Sequence, residues 1–188
     1  MASPVLAIFL SYFLMTNTRR YLHILNILCL LMAGMLSSCF KEEIPEVVER
    51  VRVGDSLPAM QLTLSDGRTL TNADLQGRKV VLVFFSTLCD DCRRELPEVE
   101  VFWQKVRDDD SIVVVAVSRG EGPDLVAPFW QEMKLTLPYS AQPDRRIYEL
   151  FASSIVPRIY VANPEGKVVA SFDHSNMPSV QMLLDLVR

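Results

Sequence analysis

Two cysteines, Cys89 and Cys92, are separated by two residues and come shortly after an apolar run at residues 79–85. The run predicts a buried strand, and the helical spacing of apolar residues after Cys89 predicts a helix. A cysteine at a helix N-terminus is favoured as the thiolate, because backbone N–H groups and the helix dipole stabilise negative charge. Cys89 can then attack a disulfide, and Cys92, one turn later, can resolve the mixed disulfide. The pair predicts dithiol–disulfide exchange with Cys89 as the nucleophile and Cys92 as the resolving thiol, a chemistry that needs no cofactor and no metal.

The elements around this cysteine pair alternate between strands and helices. Continuous apolar runs fit central parallel strands, and a hairpin that comes late in the chain fits an antiparallel edge, so the sequence predicts a mixed α/β sheet. A short extended piece is expected at residues 137–139. The other predicted ranges are strands at 60–64, 68–70, 79–85, 112–117, 158–162 and 167–172, and helices at 90–107, 125–134, 144–151 and 179–187.

Three motifs around these elements resemble one family. Residues 81–97 resemble the active-site segment of thioredoxin-like proteins, in particular the membrane-anchored, extracytoplasmic thiol–disulfide oxidoreductases of the TlpA/ResA type. The resemblance covers about residues 50–188, and its other motifs lie at residues 53–58, 66–70, 155–161 and 163–167. It implies a thioredoxin-like mixed sheet flanked by helices, with an N-terminal β-hairpin extension.

The resemblance also implies a substrate-binding position. In this family a proline after a valine is cis and packs beside the two cysteines, and Val156 and Pro157 occupy that place here. The backbone of Val156 would pair with an extended segment of the substrate. Sequence alone would not predict a cis bond, because only about 5–6% of X–Pro bonds in folded proteins are cis. The implied partners are protein thiols and disulfides, together with a membrane or periplasmic reductant.

Two positions depart from the family pattern. The family usually has Trp directly before the first cysteine, where this chain has Leu88, so a large aromatic surface beside the thiol is missing. Many relatives carry a polar or acidic residue six positions before that cysteine, where this chain has Val83. We therefore expect altered partner choice and no proton-transfer group from this strand.

Charged residues between and after the cysteines bear on the direction of electron flow. Asp90 and Asp91 oppose the stabilisation of a neighbouring thiolate, and Arg93 and Arg94 act in the other direction. Destabilising the thiolate favours the disulfide, so the sequence predicts a comparatively reducing couple that works as a reductant.

Other functions remain open on the sequence. A peroxiredoxin-like peroxidase would have Pro and Thr upstream of one reactive cysteine; Ser86 lies three positions before Cys89, but Leu82 stands where that Pro is expected. A non-catalytic thioredoxin-like binding module could carry the same pair as a disulfide. A zinc site is disfavoured because tetrahedral zinc needs four ligands. Apart from the expected lipidated Cys39, the predicted mature chain has only three cysteine or histidine ligands, Cys89, Cys92 and His174.

Residues 1–38 are typical of a signal peptide: two arginines precede an apolar stretch that ends in small residues. Met15 is the expected natural start, which places those arginines near the N-terminus. The four residues that end at Cys39 resemble the lipobox of bacterial lipoproteins, in which the cysteine is lipidated; a plain secretory signal or a short membrane anchor is the alternative. We therefore expect a lipidated tether at 39–50 and a thioredoxin-like domain at 51–188, anchored to a membrane of the cell envelope and facing the periplasm or the cell exterior.

The charge balance excludes one class of partner. The chain has 188 residues and a formal net charge of −4, but residues 1–38 contain two arginines and no acidic residue. Residues 39–188 therefore carry 17 basic and 23 acidic residues, a net charge of −6. An acidic body argues against binding to the phosphate backbone, so no nucleic-acid partner is expected.

Overall fold

Residue 27 and residues 47–188 are described by the structure, a computed structural model. The expected signal peptide, apart from residue 27, the expected lipidation site Cys39 and residues 39–46 of the expected tether lie outside the described residues. Within the described part of the chain, no helix is long and apolar enough to cross a membrane.

The described elements follow the predicted order. Five of them are helices: α1 (Asn72–Leu75), α2 (Asp90–Val106), α3 (Pro123–Glu132), α4 (Arg146–Glu149) and α5 (Val180–Val187). The strands are β1 (Gln61–Thr63), β2 (Thr69–Thr71), β3 (Lys79–Phe85), β4 (Ile112–Ser118), β5 (Tyr139–Ser140), β6 (Arg158–Ala162) and β7 (Val168–Asp173).

Five strands form a mixed sheet in the order β5-β4-β3-β6-β7. Strand β3 pairs in parallel with β4, which pairs in parallel with β5, whereas β6 is antiparallel to both β3 and β7. Strands β1 and β2 form a separate antiparallel hairpin. The predicted mixed α/β class and N-terminal hairpin are confirmed.

The sheet's centre is the hydrophobic core. Residues 80–85 of β3 and all of β4 are buried, as expected for central strands covered on both faces. Helix α2 buries one stripe of residues at helical spacing and packs against α5. Its buried residues are Cys92, Leu96, Val99, Phe102 and Val106, so the helix that carries the cysteines is fixed to the core along its length.

Some element boundaries differ from the predicted ones. Helix α3 begins at Pro123, two residues earlier than predicted, with Gly122 as its N-cap. Proline is favoured at the first helical position because its missing N–H would be unpaired there in any case. Helix α4 covers only Arg146–Glu149, so the predicted range of 144–151 was too long.

Candidate functional site

Cys89 ends the loop that leaves the buried end of β3, and Cys92 lies in the first turn of α2. Cys89 is the N-cap residue, and its Sγ accepts a hydrogen bond from the backbone N–H of Cys92 at 3.3 Å. Cys89 is half-buried, whereas Cys92 is fully buried, and both are free thiols. The sequence-based placement of the pair is confirmed: one thiol can be reached from outside, and the second lies one turn behind it.

The environment of Cys92 disfavours its charged form. Burial raises the pKa of the Cys92 thiol, and its hydrogen bond to the Cys89 thiol and the charge of that group add to the effect. The positive charge of Arg119 acts in the opposite direction, by a smaller amount. Cys92 is therefore held protonated, and it must lose a proton before it can act as a nucleophile.

The loop before β6 lies against the accessible thiol. The Val156–Pro157 peptide bond is cis, as the family resemblance implied. The thiol of Cys89 donates a hydrogen bond to the backbone carbonyl of Val156 at 3.3 Å. The structure thus brings Cys89 into contact with Val156, and Pro157 follows Val156 through the cis bond.

A buried carboxylate supports the loop that leads to Cys89. Glu121, which follows β4, is only 7% exposed. Its Oε1 accepts a hydrogen bond from the Ser86 hydroxyl at 2.6 Å, and its Oε2 accepts one from the Thr87 N–H at 2.8 Å. Its backbone carbonyl accepts a hydrogen bond from the Ser118 hydroxyl at 2.6 Å. Sequence reasoning missed Glu121 because an acidic residue between two glycines has the pattern of an exposed turn.

Glu95 is a second carboxyl that the sequence did not single out. It lies on α2, three residues after Cys92, and its Oε1 is buried without a hydrogen-bond partner among the described residues. Burial raises the pKa of Glu95, and the charge of Glu98 raises it further. A carboxyl in this state can take up a proton more readily than an exposed one. A glutamate that follows two arginines has the pattern of a solvated helix face, so the sequence alone does not identify it.

The departures from the family pattern are also visible. Val83 is buried in β3, so this strand provides no polar side chain at that position. Leu88 is 89% exposed, directly before Cys89. An apolar side chain with this exposure places a small hydrophobic surface beside the accessible thiol.

The charged residues beside the cysteines are mostly paired. Asp91 forms an ion pair with Arg94, and Arg93 binds Glu132 at 2.9 Å. The Arg93 guanidinium also lies 4.9 Å from the centre of the Phe129 ring. Since these groups are partly exposed, their interactions are individually weak.

The described residues contain no group of three or more His, Cys, Asp or Glu side chains that could hold a metal ion. His174 is partly exposed and lies 3.9 Å from Asp173, at the end of β7.

Comparisons with known proteins agree with this geometry. Residues 53–171 match the AhpC/TSA family. The chain is 29% identical over 121 residues to the thiol-disulfide oxidoreductase ResA of Bacillus subtilis, covering 64% of this chain and 67% of that protein. It is 31% identical over 122 residues to ResA of Oceanobacillus iheyensis, covering 62% of each.

A solved structure has the same fold. The solution structure of a protein from Bacteroides thetaiotaomicron, provisionally described as a protein disulfide isomerase, matches with a TM-score of 0.68 and 28% identity. The match covers 73% of this chain and 91% of that one. The chain thus spans about two thirds of the length of the ResA proteins and most of the length of this structure. The chain belongs to the AhpC/TSA family and is a thioredoxin-like protein of the ResA type.

Proposed function

We propose that this chain is an extracytoplasmic thiol–disulfide oxidoreductase that reduces disulfides in other proteins. The observation that carries the proposal is the arrangement of a half-buried Cys89 at the N-terminus of α2 with a buried Cys92 one turn behind it. The names of the ResA relatives support the same reaction class. The proposed substrate-binding residues are Val156, whose carbonyl accepts a hydrogen bond from the Cys89 thiol, and Pro157, which follows it through the cis bond.

The proposed reaction transfers two electrons to the substrate. The Cys89 thiolate attacks one sulfur of a substrate disulfide, which forms a mixed disulfide and releases a substrate thiolate that takes up a proton. Cys92 then loses its proton and attacks the Cys89 sulfur. The second substrate thiolate leaves and is protonated, and a Cys89–Cys92 disulfide remains. A membrane or periplasmic dithiol must reduce that disulfide before the next cycle.

The second step requires a proton acceptor, because burial keeps Cys92 protonated. We assign this role to Glu95, which lies on the next turn of α2 and has a buried carboxylate oxygen with no partner among residues 47–188. Burial raises its pKa, which favours proton uptake.

Insulin reduction tests the proposal. The chain from residue 40 onwards, which lacks the expected lipidation site, would be assayed with dithiothreitol beside Cys89→Ser and Cys92→Ser. Residues 47–188 belong to one compact unit. The proposal expects the wild-type chain to accelerate insulin reduction and Cys89→Ser to be inactive. A wild-type chain without activity would contradict it and favour a non-catalytic binding module.

A peroxidase is the second candidate, and the AhpC/TSA match is the observation that favours it. Two features of the site weigh against it. Leu82 stands where a peroxidase would have Pro, and the Ser86 hydroxyl donates its hydrogen bond to Glu121. Peroxide consumption separates the two: equal rates for the wild type and Cys92→Ser would favour the peroxidase.

The location is part of the proposal. The apolar stretch, the small residues before Cys39 and the acidic tether support a signal peptide at 1–38 and lipid anchoring at Cys39. Expression of Cys39→Ala in a bacterial host tests the anchor. We expect the variant to leave the membrane fraction, whereas an unchanged distribution would contradict lipidation.

A further inference from the structure

The last residues of the expected tether are hydrogen-bonded to the domain that follows them. The described tether residues, 47–50, are hydrogen-bonded to residues 151–153, which lead into the cis-proline loop. Glu49 forms an antiparallel bridge with Ala152, and the Arg50 N–H donates to the Phe151 carbonyl at 2.9 Å. The Ser153 N–H donates to the Val48 carbonyl at 3.0 Å. The segment before the domain is therefore joined to the chain that precedes the proposed substrate-binding residues.

A buried arginine connects this segment to the loop. Arg158 directly follows the cis proline, and its side chain is only 4% exposed. Its Nη1 pairs with Oε1 of Glu49 at 2.5 Å. Its Nε donates to the carbonyl of Ile155 at 3.1 Å and to that of Ser154 at 3.3 Å. One guanidinium therefore holds a carboxylate of the preceding segment and two backbone carbonyls of the loop.

The loop needs such support because its backbone is unusual. Ile155 has a φ of 72°, in a region that β-branched residues rarely adopt. The Tyr148 hydroxyl lies 2.5 Å from each of the Ser154 and Ile155 carbonyl oxygens, the two that Arg158 also binds. With these carbonyls held, the next carbonyl, that of Val156, accepts a hydrogen bond from the Cys89 thiol. Strained backbone of this kind persists only where its surroundings over-determine it.

We propose that Arg158 is a positioning residue for substrate binding. Through its ion pair with Glu49, the segment before the domain helps to hold the substrate-binding loop in place. This rests on the proposed function, since it concerns how Val156 is presented to a protein substrate. Arg158 acts through the backbone of residues 154–156 and leaves the chemistry to the cysteines. Glu49 has a side chain that is 35% exposed, so the link lies at the edge of the molecule.

Loss of the Glu49 carboxylate would leave the buried Arg158 guanidinium without its ion-pair partner, and the charge of Asp173, opposite Arg158 in the β6–β7 register, would have to compensate for it. A buried charge in this state is unfavourable, and the guanidinium is expected to move toward solvent. Movement of Arg158 would remove its hydrogen bonds to the Ser154 and Ile155 carbonyls, which would then be held by the Tyr148 hydroxyl alone among the side chains that the structure describes. With less support, the loop could relax from the positive φ at Ile155. The backbone that receives the substrate would then be less often in the binding conformation, while the Cys89 thiol itself would be unchanged.

The test compares two reactions of the same thiol. Pre-reduced full chain would be mixed with a peptide that contains an internal disulfide, and separately with iodoacetamide, which needs no loop contacts. The variants are Glu49→Ala, Glu49→Gln, which keeps an oxygen that can accept from Arg158, and Asp185→Asn, which neutralises an ion-paired carboxylate on α5.

We expect Glu49→Ala to lower the second-order rate constant for the peptide about tenfold, which corresponds to about 1.4 kcal/mol, with alkylation unchanged. Glu49→Gln should recover part of the loss, and Asp185→Asn should match the wild type. Equal peptide rates for Glu49→Ala and the wild type would overturn the proposal, as would an equal loss in both reactions. A wild-type chain that does not react with the peptide would refute the proposed function itself, and this proposal with it.

Discussion

Replacing Glu121 is expected to destabilise the protein through the loop that carries the nucleophile. Both carboxylate oxygens are used: Oε1 binds the Ser86 hydroxyl and Oε2 binds the Thr87 N–H, in a place where Glu121 is only 7% exposed. Substitution by Gln leaves one acceptor oxygen and replaces the other with an amide that cannot accept. One of the two buried donors therefore loses its partner in Glu121→Gln, and both lose theirs in Glu121→Ala.

The size of the effect follows from these two hydrogen bonds. A buried donor left without a partner costs about 1–3 kcal/mol, so Glu121→Gln should lower the free energy of unfolding by roughly that amount. Glu121→Ala leaves two such donors and should cost roughly 2–6 kcal/mol. Because the loop precedes Cys89 directly, the insulin-reducing activity of both variants should fall as well.

Urea denaturation provides the measurement. Its control is Asp185→Asn, which changes an exposed ion pair on α5 and should stay within about 0.5 kcal/mol of the wild type. A Glu121→Gln variant as stable as the wild type, with full activity, would refute the reasoning, because it would mean that these hydrogen bonds are replaced at no cost.

Three further changes have defined outcomes. Burial raises the pKa of Glu95, so the folded state holds this proton more tightly than the unfolded state, and the free energy of unfolding falls as the pH rises above the ordinary carboxyl pKa of 4.5. Glu95→Gln should flatten this pH dependence in urea denaturation and slow the attack by Cys92. An unchanged dependence of stability on pH would contradict the prediction. Asp90→Asn with Asp91→Asn removes two carboxylates beside the thiolate and should make the redox potential less negative against glutathione; an unchanged or more negative potential would contradict the charge argument. Leu88→Trp should leave stability unchanged, since the side chain is 89% exposed, but should alter relative rates among protein substrates; identical rates would show that this position does not affect partner choice.

Much of the fold could be predicted because local patterns agreed with it. The apolar run of β3, the helical spacing in α2 and the Gly-containing hairpin between β6 and β7 each carry their own signal. The cysteine positions followed from the same elements, because a strand, a short loop and a helix place Cys89 at a helix N-terminus. The cis bond at Pro157 required the family resemblance, since the residues themselves favour trans.

The supporting groups were beyond the reach of sequence patterns. Glu121 reaches Ser86 across 35 positions of the chain, and Glu49 meets Arg158 across an even longer separation. Such pairs form only when the sheet brings distant loops together. Taken alone, Glu121, Glu49 and Arg158 each have the sequence pattern of a solvated charge. Glu95 was missed as well, because a glutamate that follows two arginines on a helix has the pattern of a solvated charge.

In the proposed reaction, Cys89 attacks a protein disulfide and Cys92 resolves the product. The most direct measurement is mass spectrometry of the adducts formed when reduced Cys92→Ser is mixed with a disulfide-containing protein such as insulin. We expect a stable mixed disulfide that maps to Cys89, is released by dithiothreitol and does not form with Cys89→Ser. A Cys92→Ser chain that forms no adduct while the wild type still reduces insulin would contradict the account.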